Sequence, residues 1–206
     1  MTNPKEFEER YQTGNTPWDH GMPDSNLLEM VTGQPLATFP ITPCKAMDVG
    51  CGTGDNAIWL AQQGFEVTAC DVSPTAVEEA RRRAKAAGAA CSFRVLDFLE
   101  ENVPDAPFGF VFDRGCLHSF DTKALREEFS RRVHSYLEDG GLWLNLTGSA
   151  DAPPRDIGPP RLSAEELVTT VEPHFEIISL AAGHFRSNQP EPPEAWICLM
   201  RKRLLK

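Results

Sequence analysis

The sequence predicts an α/β fold with a mostly parallel sheet of seven strands, and three observations lead to this prediction. Short apolar runs of strand length recur from Lys45 onward. They alternate with segments of helical periodicity, which implies right-handed crossovers and a parallel sheet covered on both faces. The last two runs, residues 175–180 and 195–201, are separated only by a proline-rich loop, so we expect a terminal antiparallel hairpin.

The parallel strands are expected where the apolar runs are continuous, because a strand buried on both faces of a sheet shows no polar alternation. These runs are residues 46–49, 66–70, 92–96, 110–112 and 142–146. Together with the hairpin they predict an open, doubly wound, Rossmann-like sheet.

The helices between the strands are indicated by their ends as much as by their apolar stripes. Residues 56–63 form one helical pattern, and residues 74–87 form another, with Ser73 as N-cap and Gly88 as the stop. A capping box from Ser163 to Glu166 opens a helix that runs to about Val171. Residues 121–138 carry the clearest apolar stripe: Leu125, Phe129, Val133, Tyr136 and Leu137.

The N-terminal part of the chain differs in composition from the rest, since it is rich in polar and aromatic residues. Phe7 and Tyr11 are spaced for one face of a short helix, and Asp24 or Ser25 is placed to cap a second helix through Val31. We therefore predict a single domain over residues 1–206, with a helical flap at 1–31 and a core at 45–206.

Composition and charge exclude several classes of protein. Hydrophobic residues make up 41% of the 206 residues, which is enough for a real core, and no run is long enough for a membrane helix. The net charge of −10 repels phosphate backbones, so we expect no nucleic-acid partner. The six cysteines form no CxxC pair and suggest no metal site. A soluble, cytoplasmic protein without a membrane partner is expected.

The first strand leads into a glycine-rich loop, Asp48-Val-Gly50-Cys-Gly52-Thr-Gly54, followed by Asp55. Such a loop lets a ligand approach the backbone at the point where the strand ends. Its spacing is G-x-G-x-G, whereas a dinucleotide site requires G-x-G-x-x-G. The flanking acids Asp48 and Asp55 disfavour a pyrophosphate and favour a cationic ligand. We therefore interpret the loop as a site for S-adenosylmethionine (SAM), which would leave as S-adenosylhomocysteine.

Acidic residues at two further strand ends support this interpretation. Asp71 closes the second strand, where a carboxylate can accept hydrogen bonds from both ribose hydroxyls. Asp97 and Phe98 close the third, where they can bind the amino group and the ring of adenine. The cofactor-binding residues predicted in this part of the chain are Asp48, Gly50, Cys51, Gly52, Gly54, Asp71, Val72, Asp97 and Phe98.

Residues 45–146 resemble a class I SAM-dependent methyltransferase, and the flanking motifs narrow the resemblance. Three motifs are similar to the thiopurine methyltransferase superfamily: the spaced Phe7, Tyr11, Trp18, Asp19 and Gly21; the run Phe112-Asp113-Arg114-Gly115-Cys116; and Gly158-Pro159-Pro160. That group includes thiol, halide and tellurite or selenium methyltransferases. The resemblance implies SAM contacts for Phe7, Trp18, Asp71, Leu96, Asp97 and Arg114, and Tyr11 joins this set as part of the first motif.

Arg114, Asp19 and His118 are the predicted catalytic residues. Arg114 would hold the SAM carboxylate, an anionic substrate or a thiolate, or else pair with Asp113 or Asp19. Asp19 would orient Arg114 or the substrate. His118 would take a proton from the acceptor, or else bond a backbone carbonyl.

Four other residues are weaker candidates. Cys116 lies two residues after Arg114 and His20 directly follows Asp19 in the sequence, and either could share the chemistry of His118. Arg155 and Arg161 bracket a proline-rich loop that is a candidate wall of the acceptor pocket or else an exposed loop. Trp18, which already belongs to the predicted SAM contacts, offers either an aromatic face for the sulfonium or a plug between flap and core.

Methyl transfer from SAM is an in-line displacement that depends mainly on alignment. A hydroxyl acceptor usually needs a base or a metal, whereas a thiol is partly ionised at neutral pH. We therefore expect a small-molecule acceptor with a soft nucleophile, such as a thiol, selenol, tellurite or halide, and a protein that is a monomer or weak dimer. A small-molecule O-methyltransferase of natural-product metabolism and a non-catalytic SAM-binding paralogue remain the alternatives.

Overall fold

The computed structural model describes residues 4–33, 39–153 and 160–204, and its strands form one mixed sheet of seven. The strand order is β3-β2-β1-β4-β5-β7-β6. Neighbours from β3 to β5 are parallel, and β7 runs antiparallel to both β5 and β6. The predicted fold class is confirmed. The strands are β1 Lys45–Val49, β2 Glu66–Asp71, β3 Cys91–Val95, β4 Phe108–Arg114, β5 Leu137–Gly148, β6 Phe175–His184 and β7 Glu194–Lys202.

The strand order reverses between β1 and β4, which opens a crevice at the carboxyl ends of the strands. β1 pairs with β2 on one side and with β4 on the other, and Val49 stands opposite Asp113. The predicted hairpin of β6 and β7 is present, but β7 lies between β5 and β6. A hairpin pattern contains no information on which of its strands joins the sheet, so this insertion was not predicted.

The helices begin where their capping residues predict. The Asp24 side chain, rather than that of Ser25, caps α2, and Ser73 accepts a hydrogen bond from Ala76 N at the start of α4. The capping box of Ser163 and Glu166 is formed. The helices are α1 Pro4–Thr13, α2 Ser25–Thr32, α3 Asp55–Gln62, α4 Pro74–Ala87, α5 Lys123–Tyr136 and α6 Ala164–Val171. None of these described helices has the length and apolar character that a membrane span requires.

The expected helix over residues 121–138 is shorter in the structure, because its last apolar residue belongs to a strand. Thr122 caps α5, and the helix ends at Tyr136. Leu137 is buried and pairs with Phe108 of β4, so it starts β5 instead. A buried leucine fits the apolar stripe of a helix and the core face of a strand equally well.

Helices cover both faces of the sheet and bury a separate apolar cluster on each. The cluster on one face contains Leu27 of α2, Leu60 of α3 and Val77 of α4. The other contains Phe129 of α5 and Leu167 of α6. The residues at the strand ends therefore rest on a close-packed base.

Candidate active site

Residues of α4 and of the N-terminal part of the chain lie very close to the backbone of the glycine loop after β1. Gly50, Gly52 and Gly54 all have positive φ, at 69°, 54° and 90°. A Cβ on Gly54 would lie 2.9 Å from the Cβ of Ala80, so glycine lets α4 pack against the loop. A Cβ on Gly52 would lie 2.6 Å from the Tyr11 hydroxyl oxygen. The loop thus requires glycine on the side of α4 and on the side of the N-terminal residues.

Asp71 joins the glycine loop to the start of α4. Its carboxylate accepts hydrogen bonds from Gly52 N at 2.8 Å and from Ser73 N at 2.9 Å. Burial raises the pKa of Asp71, and these backbone N–H groups act in the opposite direction. Each carboxylate oxygen has a second lone pair, so the side chain can still accept from hydroxyls. Val72 is half-buried between Asp71 and Ser73.

Three buried carboxyls make the crevice acidic. The Oδ2 atom of Asp48 makes no hydrogen bond to any described residue, and burial, Asp113 and Asp71 raise the pKa of Asp48 to about 8. Cys51 is buried beside them, and burial followed by the charge of Asp48 raises the pKa of its thiol. A bound anion would oppose the ionisation of these carboxyls and a cation would favour it, so the crevice disfavours a pyrophosphate and suits the sulfonium and ammonium groups of SAM. The residues present therefore fit the expected cofactor.

Asp113 supports the segment that follows β4. Its carboxylate accepts from Cys116 N, Leu117 N, Trp143 Nε1 and Asn145 Nδ2 at 2.8–3.2 Å. Burial raises the pKa of Asp113 to about 6, although these hydrogen bonds oppose the shift. Asp113 thereby fixes the short 3-10 helix Leu117–Ser119 against β5.

Asp97 and Phe98, the two residues predicted to bind adenine at the end of β3, have different surroundings in the structure. Asp97 is half-buried, and its Oδ1 accepts from Leu99 N at 3.0 Å in a local turn. Phe98 is buried, with its ring 4.9 Å from that of Phe129 and 5.9 Å from that of Tyr136. The expected packing of Phe98 on adenine is therefore wrong for this structure, because the ring belongs to the core against α5.

The three predicted aromatic residues of the N-terminal segment (residues 4–33) lie together above the glycine loop. The Trp18 indole Nε1–H donates to the Tyr11 hydroxyl at 3.0 Å, and the ring of Phe7 meets Trp18 edge-on at 6.1 Å. Burial and then Asp71 raise the pKa of Tyr11 well above its ordinary value. The guanidinium of Arg10 lies 4.1 Å from the centre of the Trp18 ring, so one face of the indole already binds a cation.

Glu8 anchors α1 to the N-terminus of α4, a contact that the sequence pattern did not reveal. Its carboxylate accepts from the Ser73 hydroxyl at 2.5 Å and from the Thr75 hydroxyl at 2.6 Å. A carboxylate at a helix N-terminus is also favoured by the helix dipole. Burial works against ionisation, but the hydrogen bonds from Ser73 and Thr75 prevail and lower the pKa of Glu8 from 4.5 to about 2.

We expect the stabilisation contributed by Glu8 to depend on pH. Because its pKa is lower when docked, the contribution is fully present above about pH 4.5 and is lost as the pH falls toward 2. Urea unfolding of Glu8→Gln and of the parent protein between pH 2.5 and 7 measures this difference in free energy. The difference should shrink on acidification. Glu9→Gln, at the exposed neighbouring position, serves as control, and a pH-independent difference for Glu8→Gln contradicts the assignment.

Arg114 pairs with neither of the residues expected for it. Its Nε donates to Asp24 Oδ2 at 2.7 Å, and its Nη2 donates to the carbonyl oxygen of Arg186 at 2.7 Å. The expected ion pairs are wrong because Asp113 is engaged by buried donors, and because Asp19 pairs with another arginine. Arg114 therefore ties the end of β4 to the N-terminal segment and to the loop between β6 and β7.

His118 has no free basic nitrogen that could accept a proton from an acceptor. Its Nδ1 accepts from Gly148 N at 2.8 Å, which places the ring proton on Nε2. Burial and the charge of Arg114 lower the pKa of His118 to about 3, so the ring is neutral. Both ring nitrogens are thus unable to take a proton near neutral pH. The structure contradicts the predicted role as general base and the alternative bond to a carbonyl, since the partner is an N–H group.

His20 and Cys116 lie at the same strand end. His20 Nε2 is 3.4 Å from an Nη of Arg114, and burial followed by the charge of Arg114 lowers the pKa of His20. Its Nδ1 atom is buried and has no hydrogen-bond partner among the described residues. Cys116 packs against Gly50, and burial followed by Asp113 raises the pKa of its thiol. Burial therefore keeps the Cys116 thiol protonated and disfavours the charged form of His20.

Part of the predicted acceptor wall lies outside the described residues. Arg155 and Gly158 belong to residues 154–159, which the structure does not describe. Arg161, on the other side of this loop, donates to the carbonyl oxygens of Ala152 at 2.7 Å and Pro153 at 3.2 Å. Arg161 therefore closes the base of the loop.

Known proteins are similar to this chain at the level of both sequence and structure. A family described as a methyltransferase domain matches residues 46–141. A probable thiol methyltransferase 2 of Arabidopsis thaliana is 29% identical over 180 residues, which cover 84% of this chain and 75% of that protein. The 2-heptyl-1-hydroxyquinolin-4(1H)-one methyltransferase of Mycobacteroides abscessus is 26% identical over 174 residues, covering 84% and 74%.

A solved structure extends the similarity over nearly the whole chain. It comes from work on the conversion of a disulfide bond into a thioacetal group during echinomycin biosynthesis. The two chains are 26% identical and superpose with a TM-score of 0.81, which covers 97% of this chain and 92% of the other. The shared part therefore includes the N-terminal helices and the terminal hairpin as well as the glycine loop.

Proposed function

Because the chain is a class I SAM-dependent methyltransferase that acts on a small molecule, we propose that its acceptor is a thiol or another soft nucleophile. Selenols, tellurite and halides belong to the same class of acceptor. We also assign the chain to the thiopurine methyltransferase superfamily, on the strength of its N-terminal aromatic motif and the Asp113-Arg114-Gly115 run.

The observation that carries this proposal is the state of His118. This histidine lies in the 3-10 helix after β4, yet its Nδ1 lone pair accepts from Gly148 N and its pKa is about 3. A hydroxyl acceptor would need such a base to remove its proton. A thiol ionises near pH 8.5 without help, and its anion is already a strong nucleophile. A soft acceptor therefore matches the chemistry available at this strand end.

The contribution of the chain to the reaction is then binding, alignment and exclusion of water. When bound, SAM supplies an electrophilic methyl group on a good leaving group. Asp71 would hold the ribose, and the acidic crevice would favour the cation. The N-terminal segment would close over the cofactor through Tyr11 and Trp18. Alignment of this kind is worth about 7–11 kcal/mol of a barrier.

The comparisons support sulfur as the acceptor atom and also supply the second candidate. The Arabidopsis relative bears the name of a thiol methyltransferase, and the solved structure concerns disulfide and thioacetal chemistry. The Mycobacteroides relative is named for a hydroxyquinolinone. Transfer to the oxygen of a small natural product is therefore the alternative function.

An acceptor panel tests the proposal. We expect turnover with thiols, measured as release of S-adenosylhomocysteine, and little with phenols, amines or DNA. Two thiols of different pKa make the test sharper, since the pH midpoint of kcat/KM should follow the ionisation of the thiol. Turnover confined to phenols contradicts the proposal. A pH midpoint of kcat/KM that is the same for all thiols also contradicts it, because the ionising group would then belong to the enzyme. SAM binding without turnover on any acceptor indicates the non-catalytic paralogue.

A further inference from the structure

Arg83 of α4 binds carboxylates from three separate elements. Its Nη1 and Nη2 atoms donate to both carboxylate oxygens of Asp19, at 3.3 and 3.1 Å. Nη1 also donates to Asp55 at 3.1 Å, and Nε donates to Glu79 at 2.8 Å. The planar guanidinium is suited to several carboxylates at once, because it presents its donors in a fixed geometry.

The cluster joins the N-terminal segment to both helices that border the glycine loop. Asp19 belongs to that segment, Asp55 is the first residue of α3, and Arg83 lies in the third turn of α4. The side chains of Arg83, Asp19 and Asp55 are 27%, 14% and 18% exposed, so solvent screens them only in part. Removal of the arginine would leave partly buried carboxylates without a counter-charge, which costs more than the loss of an ion pair on the open surface.

Arg83 also keeps two like charges together. Asp19 and Asp55 both contact the same guanidinium, and burial and then the charge of Asp19 raise the pKa of Asp55 against the opposing charge of Arg83. Without the arginine these carboxylates would repel one another at close range. This repulsion would displace the N-terminal segment that carries Asp19, because Asp55 is fixed within α3.

The contact of Asp19 with Arg83 restricts the position of Trp18, because Asp19 directly follows Trp18 in the chain. The Trp18 indole is bonded to the Tyr11 hydroxyl, which contacts the glycine loop at Gly52. We propose that Arg83 is a positioning residue that holds Trp18 and Tyr11 over the cofactor crevice through Asp19. This inference rests on the proposed closure of the N-terminal segment over SAM.

The variant Arg83→Gln tests the inference through the lifetime of the SAM complex. We expect its dissociation constant to rise about five- to tenfold, mainly through faster release, because the closed form becomes less populated. At saturating SAM, kcat should change less than twofold, since Arg83 touches no reacting atom. Proteolysis within residues 4–33 should be faster, and Arg83→Lys should restore part of the affinity.

Arg82 provides a matched control. It neighbours Arg83 and pairs with the same Glu79, but its side chain is 70% exposed and has no ion pair with the described N-terminal segment. Arg82→Gln should therefore leave SAM release unchanged. The variant Asp19→Asn removes the other partner of the same ion pair and changes no residue of the core helices. The double variant should resemble Arg83→Gln alone, because both changes remove one shared contact.

Three outcomes distinguish a failure of the role of Arg83 from a failure of the proposed closure over SAM. Release of SAM from Arg83→Gln at the parental rate overturns the role of Arg83. Effects of Asp19→Asn and Arg83→Gln that multiply in the double variant overturn it as well, since they show independent contacts. If SAM gives the parent protein no protection of residues 4–33, the closure itself is wrong. Binding and proteolysis need no acceptor, so these readouts are independent of the thiol assignment.

Discussion

Replacement of Asp71 by alanine is expected to weaken SAM binding about 100-fold or more. The carboxylate is proposed to accept from two ribose hydroxyls, and hydrogen bonds to a charged group contribute about 1.5–3 kcal/mol each. It also holds the glycine loop through Gly52 N and the start of α4 through Ser73 N. Titration calorimetry with SAM measures the loss, and unfolding of the variant by urea shows whether the fold is kept.

A control at the opposite end of the same strand isolates the effect. Glu66 is the first residue of β2 and is exposed, so Glu66→Ala removes a carboxylate from the strand without touching the crevice. SAM affinity of Glu66→Ala should stay within about twofold of the parent. Unchanged SAM affinity in a folded Asp71→Ala protein would remove the ribose assignment.

The second large effect is expected on stability, from Asp113→Ala. The side chain is fully buried and is the acceptor for the Trp143 indole and the Asn145 amide, which are buried as well. Loss of the carboxylate leaves these donors unpaired at a cost of about 1–3 kcal/mol each. We expect the free energy of unfolding to fall by about 3–5 kcal/mol, measured by urea denaturation.

The control for this prediction is an aspartate that forms an exposed ion pair. Asp139 lies 3.7 Å from Lys202, and its side chain is 80% exposed. Asp139→Ala should change the free energy of unfolding by less than about 0.5 kcal/mol. If Asp113→Ala were as stable as Asp139→Ala, the arrangement of donors around Asp113 would not be the support of the segment carrying His118.

The two predictions concern different layers of the same site. Asp71 stands at the edge where the cofactor is proposed to bind, and Asp113 lies beneath the strand end that carries Arg114 and His118. Loss of Asp71 should therefore reduce affinity most strongly, with a smaller loss of stability because the N–H groups of Gly52 and Ser73 lose their acceptor. Loss of Asp113 should reduce stability first.

Local features of the fold could be predicted because adjacent residues encode them. The cap by Ser73, the stop at Gly88 and the capping box at Ser163 depend on side chains that bond their own neighbouring backbone. The continuous apolar runs indicated buried parallel strands for the same reason, since burial on both faces leaves no place for polar residues. The glycine loop was recognisable because left-handed backbone favours glycine.

The partners of the charged residues at the site could not be predicted in this way. Arg114 is bonded to Asp24 and Asp19 to Arg83, and each pair joins parts of the chain far apart in sequence. The Phe98 position shows the same limit, because an aromatic residue after a strand can face the crevice or the core. Its ring faces the core here because Phe129 of α5 packs against it.

The sequence by itself therefore determined the α/β class, the order of strands and helices along the chain, and a loop suited to a cationic adenosyl ligand. Tertiary structure alone decided that β7 enters the sheet between β5 and β6 and that His118 is neutral and bonded to Gly148. The physical reason is the range of the interactions. Caps, turns and periodicity act between near neighbours, whereas the burial and the partner of a side chain depend on which distant elements pack around it.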